Sequence, residues 1–377
     1  MRRAIPAVLL VGAAAVLLAL IFAARVSRKM PDLEVYWTAA GRARLAQPLY
    51  RPEDGHYQFK YLPAFAVLTI PASRLTIESA KAVWFVCSVL LLASLVSLSL
   101  AALPERRKPA WLLVTLTLVV MLKFYGHELV LGQMNALFAV VSIAAVVAMK
   151  AKHETAAGAL VALAIVVKPY AVIFLPWLLA RRRLATAGSA AIGGLVLLAL
   201  PAIAYGVAGD IDLHRAWWRT VTESTAPNLT NADNVSIAAM WAKWIGAGSA
   251  ATMLTAATSA LLLAVVVRTF LGRRTLPFPE GLEGALLLTC IPLLSPQGWD
   301  YVFLVSTPAV VLLLNYEDCL PSLVRWPTLA ALAVIGLTVY DLVGRTAYAA
   351  FMARSTITVC YFVVIAGMCA MRLRRIA

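Results

Sequence analysis

The sequence predicts an all-α fold: a polytopic integral membrane helical bundle of about twelve transmembrane helices, with short helices in the outer-face loops. Three observations predict it. Apolar residues make up 62% of the 377-residue chain, against about 45–50% in soluble domains. The excess runs the whole length, with a mean hydropathy of +0.85, so many segments and not one anchor must satisfy their backbone inside lipid as helices. Charged residues are only 14% of the chain, yet the net charge is +15, and most short basic runs end apolar stretches, as cytoplasmic loops do. A soluble protein of that charge suggests nucleic acid. No basic stripe is interleaved with aromatics here, so no nucleic-acid partner is expected; membrane lipids are.

The elements follow in order. Met1-Arg2-Arg3 and the apolar run Ile5–Ala24 resemble a signal peptide. The run is longer than the usual apolar core of about 7–15 residues, and no small-residue cleavage site precedes Asp32, so it reads as a retained first helix. Further spans are Ser79–Leu103, Ala110–Leu122, Asn135–Met149, Thr155–Val167, Tyr170–Ala180 and Leu184–Val207. Ser249–Leu271, Leu282–Leu294, Tyr301–Leu314, Pro327–Tyr340 and Ser355–Met371 complete the set. Several are shorter than the roughly 17–25 residues of a full crossing, so other helices must shield them. Four of the five cysteines lie inside these spans and none forms a Cys-x-x-Cys pair. Neither a disulfide framework nor a zinc site is expected.

Leu62–Leu75, bracketed by Pro63 and Pro71, is short. If it dips in without crossing, Arg106-Arg107-Lys108, Arg181-Arg182-Arg183, Arg273-Arg274 and Arg372–Arg375 all fall on the cytoplasmic side. Both termini are then cytoplasmic. The outer side receives the first loop, 25–61, the large loop, 208–248, and the turns Lys123–Gln133, Lys168-Pro169, Ser295–Asp300 and Asp341–Arg345. No internal repeat or soluble domain is visible. Residues 1–377 form one membrane-embedded domain, expected in the inner (plasma) membrane with its site facing the outer, periplasmic side.

The uncommon polar residues gather on that side. Asp32 and Glu34 follow the first span, with Tyr36 and Trp37 beside them. Asp32 after Pro31 is either a helix cap or a working carboxylate. Its company favours the second: Lys60, Lys123, His127, Glu128, Lys168 and Asp300 share the predicted face, and ionisable groups near a bilayer are usually paired or functional. Lys168-Pro169 is a helix break carrying a cation, which either snorkels to the surface or holds a phosphate. Gln133 and Asn135 either bind sugar hydroxyls or cap the next helix. Trp299 and Tyr301 suit interface anchors, but Asp300 between them does not. Asn234 is either a ligand contact or a cap. His56, His153 and His214 read as isolated structural histidines.

Several segments together resemble glycosyltransferase family 87 of the GT-C superfamily. They are Asp32 to Tyr36, Pro48-Leu49-Tyr50, Phe59-Lys60-Tyr61-Leu62-Pro63, Pro71 and Trp84, then Gly132-Gln133-Met134-Asn135, Val167-Lys168-Pro169-Tyr170, Asn234-Val235-Ser236 and Leu294-Ser295-Pro296 to Trp299-Asp300-Tyr301. They cover the chain almost end to end in the family's order. The resemblance implies a membrane transferase of the GT-C type that moves a hexose, mannose foremost, from a polyprenyl-phosphate sugar to a lipid-linked or cell-envelope glycan acceptor. It implies Asp32 as general base and an inverting reaction. Lys60 or Lys168 would steady the departing phosphate, and Trp37, Tyr61 and Trp299 would stack on sugar faces. Glu34, Tyr36, His127, Gln133, Asn135, Asn234, Asp300 and Tyr301 complete the expected substrate contacts. No cofactor is required, and a divalent metal is compatible with the reaction without being indicated by any acidic pair. Two positions depart from the family pattern. Asp300 and Tyr301 stand where mannosyl-transferring relatives often place histidine, and Leu62 stands where a second proline is common. A lipid or sugar transporter, a flippase, and a polysaccharide ligase or polymerase are the competing classes. The transporter class predicts an internal repeat, which the sequence lacks.

Overall fold

The computed structural model describes residues 4–272 and 278–373. Arg2-Arg3, Arg273-Arg274 and Arg374-Arg375, used above for topology, lie outside them. The described residues form an all-helical bundle. Five helices are long and apolar enough to cross a membrane, or six if a bent pair counts as one span. The sequence predicted about twelve. The remaining segments are shorter: Ala15–Val26, Asn135–Lys150, Glu154–Val167, Pro169–Ala180 and Ser322–Leu337 are apolar helices of 10–17 residues.

Burial sorts the bundle into a centre and a rim. Pro279–Leu294 is buried along nearly its whole length, and every residue of Thr307–Tyr316 is buried. These two helices pack on each other and on Thr356–Leu373, and Thr307–Tyr316 also packs on Ile77–Ala102 and Ala110–Leu131. The Asp300–Cys319 span is 83% buried, whereas Ser249–Leu271 is 17% buried. An apolar helix exposed on most of its circumference has lipid as its natural neighbour. Leu184–Leu198 likewise exposes Ile192, Leu195 and Val196.

The predicted span Leu184–Val207 is not continuous. Leu184–Leu198 and Ala202–Asn228 meet at a 93° bend, where Pro201 has no N–H to extend the helix. Leu62–Leu75 resolves into a helix, Pro63–Leu68, and a 3-10 turn, Ile70–Arg74. A six-residue helix is about 9 Å long, too short to cross. It packs instead on the first outer helix, Pro31–Arg44.

The polar groups occupy two opposite ends. At one, Arg181 and Arg372 both contact Glu283, and Arg183 bridges Glu154 at 2.6 Å and Glu280 at 3.0 Å. Lys108 meets Glu317 at 2.7 Å and Arg107 meets Asp318 at 3.1 Å. Lys150 donates to the carbonyls of Ala101 and Leu103, at the end of Ile77–Ala102. The described basic turns that the sequence assigned to one side therefore do share one end. The polar segments assigned to the other side share the opposite end, where Lys123–Leu131 is not a turn but the last part of the helix Ala110–Leu131.

Candidate active site

The site end is built where three chain breaks meet the first outer helix. Pro31 opens Pro31–Arg44 at a position suited to proline. Asp32 and Glu34 fill its first turn and Arg42 and Arg44 its last, matching the helix dipole. Asp32 is not the N-cap: Met30 holds that position, with φ +65° and no side-chain cap. The Met30 N–H instead donates to the Val130 carbonyl at 2.9 Å. Gly132, ending Ala110–Leu131 at φ +71°, allows this docking. A Cβ there would lie 2.9 Å from Leu33 Cβ and 3.0 Å from Met30 Cβ. The next residue, Gln133, is thereby delivered to Asp32.

Gln133 Nε2 donates to Asp32 Oδ2 at 2.7 Å and to the Tyr301 hydroxyl at 3.3 Å. Its Oε1 accepts from the Tyr36 hydroxyl at 3.2 Å, and that hydroxyl lies 2.9 Å from the Tyr61 hydroxyl. Glu154–Val167 ends at Lys168, which is extended before the 3-10 turn Pro169–Ile173. The predicted helix break is present. Lys168 Nζ sits 4.8 Å from the Tyr61 ring centroid, a cation–π contact. On the far wall, Trp299 and Tyr301 lie nearly parallel at 9° with centroids 6.5 Å apart. Gly298 before them carries no side chain because a Cβ would meet the Pro292 carbonyl oxygen at 1.9 Å.

These residues enclose a cavity of about 530 Å³, lined by Asp32, Tyr36, Lys60, Tyr61, Gln133 and Lys168, with Trp299 and Tyr301. That is a small-molecule volume. Burial raises the Asp32 pKa; the Gln133 hydrogen bond and the charges of Lys168, His56 and Lys60 pull it back only in part. Burial lowers the Lys60 pKa, and Asp32 opposes that shift. A half-buried carboxylate of raised basicity faces two cations and an aromatic wall. This set can take a proton from a hydroxyl, hold an anion and stack on an apolar ring face. Among the described residues no three or more His, Cys, Asp or Glu side chains gather as a metal would need.

The other expected contacts lie elsewhere. Asp300 is buried away from the cavity, its Oδ2 2.7 Å from Lys123 Nζ and its Oδ1 3.7 Å from His127 Nδ1. Asn135 neither caps its helix nor reaches the cavity: its Nδ2 donates to Glu128 at 2.9 Å, and Glu128 accepts the Ala136 N–H at 2.7 Å. The buried Glu128 carboxylate thus performs the capping. Asn234 Nδ2 donates to the Asn228 and Pro296 carbonyls, holding the large loop against the Ser295–Gly298 turn. Ser236, not Asn234, caps Ile237–Ile245. Trp37 donates its indole N–H to the Leu75 carbonyl, and Glu34 pairs with Lys81 at 2.5 Å. Both point off the main cavity. Conversely, His56, Trp217 and Trp218 line it. The Trp217 indole donates to the Lys60 carbonyl at 3.1 Å. The adjacent tryptophans in a polar outer loop were the available signal; nothing distinguished His56 from the other histidines.

The chain was compared with known proteins. No curated protein and no solved structure gives a match. The model of glycosyltransferase family 87 matches residues 59–296. That stretch holds Lys60, Tyr61, Gln133 and Lys168 and stops short of Asp32 and Trp299. Since it spans well over half the sequence, the chain belongs to glycosyltransferase family 87 and is a sugar-transferring membrane enzyme.

Proposed function

We propose that this enzyme transfers a hexose, mannose foremost, from a polyprenyl-phosphate sugar to a hydroxyl of a lipid-linked or cell-envelope glycan, with inversion. The observation that carries the reading is the cavity itself. One carboxylate, Asp32, lines it, accepting a hydrogen bond from Gln133 and facing Lys60 and Lys168. The acceptor oxygen attacks the anomeric carbon as Asp32 accepts its proton. The bond from that carbon to the phosphate oxygen breaks, and the electron pair leaves with the polyprenyl phosphate. Lys168 and Lys60 meet the charge that builds on the leaving oxygen. The donor carries its own leaving group, so the reading asks for no nucleotide site and no cofactor. Val167, Pro169 and Val172 line the cavity beside Lys168, and Val172 is also exposed on the bundle surface, a path by which a polyprenyl chain reaches lipid.

In this reading the site end faces the periplasmic side of the inner membrane and the Arg–Glu end faces the cytoplasm, as the positive-inside rule favours. The shorter apolar helices would complete the crossings in company with their neighbours, approaching the twelve that the sequence suggests. Protein in lipid nanodiscs, supplied with polyprenyl-phosphate hexoses one sugar at a time, tests the reaction. Release of polyprenyl phosphate that depends on Asp32 is expected. Full turnover in the Asp32→Asn protein would sink the assignment of the base.

A further inference from the structure

A second cavity, of about 330 Å³, lies along the same outer helix. Glu34, Val35, Thr38 and Arg42 open onto it at helical spacing, and the turn Pro52–Tyr57 closes it with Asp54 and Tyr57. Val35 and Tyr57 line both cavities, so the two are neighbours across those side chains, and Asp32 stands one helical turn from Val35.

The linings differ in chemistry. The larger cavity is apolar beside its two lysines, which suits a lipid phosphate. The smaller one holds a planar ion pair: Arg42 donates to both Asp54 oxygens, at 2.5 and 2.8 Å. The guanidinium retains three N–H donors and the carboxylate keeps free lone pairs. Glu34, paired with Lys81 through Oε1 and 52% exposed, adds a second carboxylate with an oxygen to spare, Thr38 adds a hydroxyl, and Tyr57, 55% exposed, adds an aromatic face. Donors and acceptors in fixed planes beside a free ring are what a pyranose needs: hydroxyls for the first, a C–H face for the second. Glu34, expected as a substrate contact, lines this smaller cavity and not the main one.

We infer that the smaller cavity is a carbohydrate subsite for the acceptor. It holds a hexose unit of the acceptor while a hydroxyl of that unit or its neighbour passes Val35 to reach Asp32. This rests on the glycosyltransferase reading of the larger cavity. The acceptor class it selects is a glycan or glycolipid with a pyranose beside the reacting hydroxyl, and not a bare lipid alcohol.

Thr38→Trp fills the cavity from an exposed position of the helix. Saturation-transfer NMR with methyl manno-, gluco- and galactopyranosides reads binding directly in nanodiscs. At least one should receive saturation from the wild type and from Asp32→Asn, and lose it in Thr38→Trp. With octyl glycosides as acceptors, Thr38→Trp should raise the acceptor KM by about tenfold or more, the loss of one or two hydrogen bonds, while the donor KM moves less than about twofold. Arg42→Lys, which keeps the charge and loses the planar fork, should act in the same direction. No saturation of any methyl hexoside by the wild type, or full saturation of Thr38→Trp, overturns the subsite. Saturation lost in Thr38→Trp, with no polyprenyl-phosphate hexose consumed by the wild type, supports the subsite and overturns the donor reading instead.

Discussion

Asp32 and Asp300 are both carboxylates in the first turn of a helix at the same end of the bundle, and each has lysines nearby, yet the structure treats them in opposite ways. Asp300 is 1% exposed and in direct contact with Lys123, which is itself 2% exposed. The Lys123 ammonium also lies 4.7 Å from the Tyr348 ring, and the Tyr348 hydroxyl donates to Asp300 at 3.4 Å. That cluster is satisfied from within. Asp32 has Gln133 on one oxygen and the cavity in front of it, and its cations line the same space instead of closing on it. The difference teaches where chemistry is possible. A fully buried carboxylate closed on its counter-ion organises the fold, whereas one that opens on a cavity has capacity left for a substrate.

Asp32→Asn should separate these roles most sharply. Asparagine keeps the size and the Gln133 neighbour but removes the proton acceptor. Turnover should fall by about 10²–10⁴-fold or more, with thermal unfolding in detergent close to wild type. Near-normal turnover would make Asp32 a fold residue like Asp300.

The converse change is Lys123→Met. Leaving one member of a buried ion pair alone costs about 3–5 kcal/mol, so the protein should unfold at a lower temperature or fail to accumulate. The double change Lys123→Met with Asp300→Leu removes both charges and should regain much of the loss, because no buried charge is left unpaired. No double change can restore turnover to Asp32→Asn in this way. Unfolding curves of single and double variants check it; an unaltered curve for Lys123→Met would show the pair to be inert.

Much of this contrast was legible in the sequence, and some was not. The membrane class, the helix break at Lys168 and the shared face of Asp32, Gln133 and Lys168 followed from hydropathy, proline placement and the side to which short basic loops fall. Which polar residues pair with each other did not follow. Asp300 and Lys123 are 177 positions apart in sequence numbering, and only the tertiary path of Ala110–Leu131 against Asp300–Ser306 brings them together. Asn135 was open to two roles, a sugar contact or a helix cap, and takes neither; Glu128, seven residues earlier, took the cap through space. Five or six helices have the length of a full crossing where the sequence suggests about twelve spans, for a related reason. Hydropathy records that a segment is apolar, but helices such as Asn135–Lys150 are buried against protein and need not match the bilayer's thickness.

Lys168→Met should have a smaller effect than Asp32→Asn. It keeps the stem and the neighbouring Tyr61 ring but removes the cation. Charge-assisted contacts to phosphate are about twice as strong as neutral ones, so donor KM should rise and kcat fall. Lys168→Arg should recover only part, since a planar fork replaces a point charge. Donor saturation curves for the three proteins check it. Equal curves would assign Lys168 to the Tyr61 contact alone.

The smallest effect is a shift in pH dependence, and it tests the spacing between Asp32 and its cations. A general base works deprotonated, so kcat/KM should fall as pH drops through the Asp32 pKa. Burial raises that pKa, which places the acid limb above the ordinary carboxylate value of about 3.9. Lys60 acts against burial, its positive charge favouring the ionised carboxylate. Lys60→Met removes that help, so the Asp32 pKa should rise further and the acid limb should move to higher pH. Asp300, whose direct partner is Lys123, does not enter this profile. The position of the limb, not the height of the plateau, is the readout, since donor binding is expected to weaken as well. A limb that stays in place or moves to lower pH would show that Lys60 does not act on Asp32 across the cavity, and the contrast between the two carboxylates would then rest on Gln133, Lys168 and His56.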